Sequence, residues 1–94
     1  MKNKKSKYKS LKINNKRYYF YKIVWVDIVG DAGHADFAEF LKLIPAEMVS
    51  YGYIFSKDNQ CVRIFASYDT TSESFSDRNV YPIGCIRSLH KINI

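Results

Sequence analysis

The sequence predicts a mainly β fold: a small, strongly bent barrel of five strands with one short α-helix. Three observations predict it. Segments rich in aromatic and β-branched residues recur at 18–26, 47–55 and 61–68, the latter two with alternating sides. Clusters of turn-forming residues separate them around Gly30, Asp58 and Ser72. The chain has 94 residues, 47% of them hydrophobic, which suffices for one core and leaves no material for a second domain.

The first strand is Tyr18 to Val26, with Tyr19, Tyr21, Ile23 and Trp25 on one side. Asp27 to Gly33 ends it, because Gly30 and Gly33 permit turns and the aspartates can close them. The period then changes. Asp36 is placed to cap a helix with Glu39 three positions on, and Phe37, Phe40, Leu41 and Ile44 form an amphipathic stripe that Pro45 stops. Alternation resumes from Glu47, with Val49, Tyr51, Tyr53 and Phe55 on one side. Lys57 to Gln60 is a polar turn, and Cys61 to Tyr68 completes a hairpin with Val62, Ile64, Ala66 and Tyr68 sharing a side. Asp69 to Asp77 reads as a solvated loop with Phe75 tucked beneath it. Two short strands follow, Arg78 to Pro82 and Cys85 to Ile92, and Pro82 requires an edge position because it has no N–H to donate.

Five twisted strands in so short a body close most economically as one bent sheet, which also hides the edges of apolar strands. An open sheet covered by the helix is the competing architecture. No apolar stretch approaches the roughly 20 residues of a membrane span, and none has the form of a secretory leader, so a soluble cytoplasmic protein is expected. Cys61 and Cys85 lack metal-clip spacing and read as buried thiols, with His34 and His90 too scattered to complete a zinc site.

The net charge of +6 is unevenly placed. Residues 1–17 hold Lys2, Lys4, Lys5, Lys7, Lys9, Lys12, Lys16 and Arg17 with no acid, 8 of the 15 cations. The other 77 residues carry 7 cations against all 9 acids, net −2. Residues 1–17 are therefore expected to form a flexible basic tail on a folded domain of 18–94. Such a tail suits either solubility or attraction to phosphate.

The run Gly52-Tyr53-Ile54-Phe55-Ser56-Lys57-Asp58-Asn59-Gln60-Cys61 resembles the first motif of Sm-like (LSm) proteins. There a glycine bends the second strand, an aliphatic residue follows, an aspartate closes the turn and a hydrophobic residue comes after it. Val80-Tyr81-Pro82-Ile83-Gly84-Cys85-Ile86 resembles the second motif, with Gly84 between two short strands. The overall sequence, especially the Trp25-Val26-Asp27 strand end and the Ser76-Asp77-Arg78-Asn79-Val80-Tyr81-Pro82 segment, also looks like small uncharacterised proteins of bacteriophages, including phages of marine bacteria. The resemblance implies an Sm-like or SH3-like barrel, a homo-oligomeric ring closed by pairing a late strand with the next subunit, and RNA binding without catalysis or cofactor in the host cytoplasm. Gly52, Ile54, Asp58, Cys61 and Gly84 are its structural positions. Three places depart from the family: Val62 stands where an asparagine holds the base edge, Ile83 where an arginine contacts RNA, and the helix follows the first strand instead of preceding it.

Beside the basic residues Lys4, Lys5, Lys7, Lys9, Lys12, Lys16 and Arg17, the candidates for nucleic-acid contact are Arg63, next to the altered motif, and Arg78 with Asn79. Arginine offers a fixed cationic fork for phosphate and asparagine an amide for a base edge. The local alternative for Asp77-Arg78-Asn79 is a self-capped turn with the arginine paired to a neighbouring acid. The aromatic strand 18–25 offers rings that either stack on bases or fill the core. Asp27, Asp31 and His34 cluster without a nucleophile, and Cys61 and His90 would make a thiol pair only if the fold joined them, so no enzyme is expected. The rival to RNA binding is a protein-interaction or small-ligand module, with a host protein among the candidate partners. Loss of the two base-reading groups favours it.

Overall fold

A computed structural model of the chain describes residues 7–94. It is a mainly β, antiparallel structure with one short helix. The elements are β1 (Ser10–Ile13), β2 (Lys16–Asp27), α1 (Phe37–Leu41), β3 (Ala46–Lys57), β4 (Cys61–Phe65), β5 (Ser67–Asp69), β6 (Ser74–Ser76), β7 (Asn79–Pro82), a 3-10 turn (Ile83–Cys85) and β8 (Ile86–Lys91). The main sheet runs β1-β2-β3-β4-β7, β8 also pairs with β2, and β5-β6 is a separate hairpin. The five expected body strands correspond to β2, β3, β4, β7 and β8. Pro82 lies at the end of β7, the last strand of the path, as its missing donor requires.

Period-two geometry places two apolar clusters on opposite faces of this sheet. Ile23 of β2 and Val62 and Ile64 of β4 join Tyr81 on one face, with Trp25, Ile54, Ile86 and Leu89 packed around them. Tyr18 of β2 and Phe65 of β4 point the other way and join Ile13, with Tyr53, Tyr68 and Phe75. Ile23 and Val62 are fully buried, and each such side chain contributes about 1.5–3 kcal/mol. Register shifts at Val24/Trp25 and at Ile54/Ser56 interrupt the ladders, and bulges of this kind bend a strand and increase its twist.

Four expectations are corrected. The flexible tail expected over 1–17 is strand from Ser10, because Leu11 and Ile13 alternate with Ser10 and Lys12 and put Ile13 into the second cluster. Asn14 and Asn15 both take positive φ, 49° and 68°, and make the tight turn that pairs Ile13 with Lys16. Residues 1–6, including Lys2, Lys4 and Lys5, lie outside the described residues. The strand expected over 61–68 breaks at Ala66, and the loop expected over 69–77 contains the β5-β6 hairpin, tied by Tyr68 and Phe75 to the second cluster. The two cysteines are free and half-buried instead of fully buried.

The helix forms where its cap predicts. Asp36 accepts from the Glu39 N–H at 2.8 Å, and Glu39 accepts from the Asp36 N–H at 3.1 Å. It stops at Leu41, ahead of Pro45, and buries no residue. With its flanking loops it forms an arm over residues 27–45 at the far end of the β2-β3 hairpin. The Cα extents of 65 × 37 × 23 Å and radius of gyration of 18.0 Å, against about 12 Å for a compact chain of this length, reflect that elongation. Among the described residues no helix is long and apolar enough to cross a membrane.

Candidate functional site

The β4-β7 edge of the sheet, Phe55 of β3 and the β5-β6 hairpin border an open pocket of about 580 Å³. Phe55, Phe65 and Phe75 form its aromatic wall, and Val80 and Ile64 add aliphatic surface. The rings contact one another edge to face, Phe65 to Phe75 at 4.7 Å and Phe55 to Phe75 at 5.0 Å between centroids. Edge-to-face packing fixes the orientation of each ring and leaves a firm apolar wall.

Three residues singled out in the sequence converge on this pocket: Arg63, Arg78 and Asn79. The sheet register brings them together, since β4 and β7 pair Arg63 with Val80 and Ile64 with Asn79. Arg63 is held from the side, donating to the Ser56 hydroxyl at 3.2 Å and standing 3.8 Å from the Asp58 carboxylate. Asp58 is anchored in turn by N–H groups of Gln60 and Cys61, at 2.8 and 2.9 Å. Those two bonds, led by Cys61 and helped by Arg63, hold its carboxyl below the usual value of 3.8.

Arg78 is aimed by the turn before it. Asp77 adopts a left-handed φ of 53°, which aspartate tolerates better than most residues, and it accepts from the Ser67 hydroxyl at 2.7 Å. The aspartate is thus committed to the β5 end of the hairpin. Among the described residues the Arg78 guanidinium makes no hydrogen bond or ion pair. The pairing of this arginine with a neighbouring acid, part of the local alternative, does not form.

The described basic residues of the first hairpin lie outside the pocket lining, and one approaches it. Lys16 Nζ sits 5.3 Å from the centroid of the Tyr18 ring, and Tyr18 stacks on Phe55 at 6.0 Å with an interplanar angle of 3°. Arg17 donates to the Ser10 hydroxyl, Lys9 lies over Phe20 at 4.4 Å, and Lys12 faces Arg17 across the ladder. The Lys7 carbonyl accepts from the Ile94 N–H.

The motif positions fall into structural roles. Gly52 sits mid-strand opposite Tyr21, where a Cβ would stand 2.9 Å from Ile64 Cδ1 and 3.2 Å from the Phe65 carbonyl oxygen. Ile54 packs on the first cluster, Asp58 closes its turn and Cys61 opens β4. Gly84 lies in the 3-10 turn, with open space where a Cβ would be. Val62 is wholly inside the core and faces no solvent.

Other candidates separate. Tyr18 is buried and Trp25 donates to the Ser50 hydroxyl at 3.0 Å, so both act in packing. Asp27 and Asp31 accept from the N–H groups of Ile28 and Gly33. Asp31 and His34 line a second cavity of about 510 Å³ on the arm with Glu39, whose carboxylate caps α1. Cys61 opposes Pro82, whereas His90 pairs across from Lys22 and contacts the Ser88 hydroxyl at 3.0 Å. No group of three or more metal-ligating side chains is found among the described residues.

Sequence reasoning missed the aromatic wall. Phe75 was expected to tuck beneath a solvated loop, and it does pack on the second cluster, but the hairpin that carries it was missed; a signal for it is Asp69, which accepts from the N–H groups of Thr71 and Ser72 and so starts a hairpin turn. Comparison with known proteins finds no matching family model, no matching curated protein and no matching solved structure.

Proposed function

We propose that this chain is a non-catalytic RNA-binding protein of the Sm-like type, which captures single-stranded RNA, or another polyanion of the same phosphate chemistry, at the Arg63–Arg78–Asn79 pocket. The convergence of those three side chains on a wall of phenylalanine rings carries the reading. Two guanidinium groups suit phosphate oxygens, the accessible rings of Phe55 and Phe75 suit stacked bases over the buried Phe65, and the Asn79 amide suits a base edge. The pocket would replace the family's own base-reading positions, which are occupied by Val62 and Ile83. Lys16 beside Tyr18 extends the positive surface, and the basic residues from Lys2 to Arg17 add long-range attraction.

The strand pairing supports the barrel that goes with this reading. In the order β8-β2-β3-β4-β7, the last strand returns to the first long strand after a 3-10 turn, and two bulges interrupt the ladders, a feature that bends strands and increases their twist. β7 and β8 are the outermost strands of that path, the edges a head-to-tail ring would pair. The resemblance to phage proteins sets the expected role in RNA regulation within an infected cell. The second reading, a protein-interaction module, rests on the uncovered apolar residues of the arm.

The test is binding of fluorescent oligo-U and oligo-A at two or more salt concentrations, with the full chain, Arg63→Ala and Arg78→Ala. Log affinity should fall linearly with log salt, and each substitution should lower the slope by about 1. No binding by the full chain would shift the search to a protein or small-molecule partner. Binding unchanged in both variants would remove the pocket from the RNA path.

A further inference from the structure

The arm over residues 27–45 exposes a set of apolar side chains that the rest of the chain leaves uncovered. Ile28 is 91% exposed, Phe37 82%, Phe40 68%, Leu41 69% and Ile44 69%. A capping box holds α1 in a defined helical turn, so Phe37, Phe40 and Leu41 are presented on an organised element. Exposed apolar side chains gathered on one arm mark an interaction surface.

The charge of the arm restricts what covers it. Asp27, Asp31, Asp36 and Glu39 stand against Lys42 alone, net −3. Residues 46–94, which build the pocket, hold five cations against five acids, so positive charge there is local: Arg63 and Arg78 line the pocket and no acid does. The complementary surface is therefore apolar and cationic, and this chain carries one: the pocket of Phe55, Phe75 and Val80 flanked by Arg63 and Arg78. Val80 on its rim is 59% exposed. The arm cannot reach the pocket of its own chain, because nine residue steps of β3 separate Ala46 from Phe55, about 30 Å of extended strand.

We propose that the arm of one chain docks in the pocket of a second copy, with Phe37 and Phe40 against the phenylalanine wall and Glu39 facing the guanidinium groups. The contact is head to tail, each copy giving an arm and receiving one. Where other contacts already hold subunits together, a neighbouring arm sits at high effective concentration and docks readily. The acidic arm and a polyanion compete for the same two arginines, so RNA binding displaces the arm. Only this competition rests on the RNA reading; the docking itself stands on the arm and the pocket.

The experiment places a photo-crosslinking benzoylphenylalanine at position 40 of the full chain, mixed with an equal amount of isotopically heavy chain. Position 40 is exposed, so the fold is not at stake. Light-to-heavy crosslinks to peptides containing Phe55 or spanning Phe75 to Val80 are expected, with loss of those products when the heavy chain carries Arg63→Glu and Arg78→Glu. Crosslinks confined to one chain, crosslinks elsewhere on the second copy, or none at micromolar concentration overturn the proposal. Saturating oligo-U should suppress the yield; oligo-U that binds and leaves the yield unchanged overturns the shared pocket. A crosslink that forms although oligo-U does not bind upholds the docking and sinks the RNA reading.

Discussion

Asp58 accepts two backbone N–H bonds while its Oδ2 faces Arg63, so one exposed carboxylate both closes the β3-β4 turn and positions a cation of the pocket. Its folded carboxyl titrates below the usual 3.8, as does that of Asp69, which accepts from Ser72 and Thr71. As pH falls, the unfolded chain takes up protons first. The stability these groups contribute is therefore full above 3.8 and lost as pH drops through the lower folded values. Urea midpoints measured from pH 6 to pH 2 should fall across that acid range, and less steeply in Asp58→Asn; equal slopes would mean that the turn is not coupled to the carboxylate. Gly52 makes a different kind of demand. Its backbone is not in the left-handed region, and what it supplies is room for Ile64 and the Phe65 carbonyl. Gly52→Ala should destabilise by about 1–3 kcal/mol through overpacking, seen as a lower urea midpoint at unchanged m. An unaffected midpoint would show that β4 can draw back at little cost.

β1 shows how an element can hide in a charged segment. Lysine density made residues 1–17 look like tail, yet Ile13 is 8% exposed and packs with Tyr18 and Phe65. Ile13→Ala should cost about 2–5 kcal/mol in chemical denaturation, whereas a residue on a free tail would cost almost nothing. The long strands and the helix cap were legible because their signals are local: alternation in β3, and Asp36 three residues before Glu39. β1, β5 and β6 were not, since four- and three-residue strands have too few positions to show a period and take their stability from contacts across the sheet. For the same reason Arg63, Arg78 and Asn79 were recognisable as chemistry-bearing side chains, but their meeting was not. It depends on the β4-β7 register and on the turn at Asp77, and the phenylalanine wall depends on a hairpin concealed among serines and threonines.

At the scale of the whole molecule, one sheet carries apolar clusters on both faces and an acidic arm at the end of its longest hairpin, remote from the basic first turn. Such a charge-separated, elongated subunit favours head-to-tail contacts over two-fold ones, because opposed ends attract and like ends repel. β7 and β8 add backbone edges at the ends of the strand path, and Val80 on β7 is exposed next to the pocket. Head-to-tail association that closes gives a ring of fixed mass, and association that does not close gives a mass that grows with concentration. Light scattering at micromolar concentration should therefore return a constant integer multiple of 11.0 kDa. A monomeric mass would refute the ring. A mass rising steadily with concentration would mean that the same contacts build an open filament. Removing residues 1–6, which carry Lys2, Lys4 and Lys5 and lie outside β1, should leave that multiple unchanged while lowering the salt dependence of oligo-U binding, which separates assembly by the folded chain from attraction by the basic N-terminus.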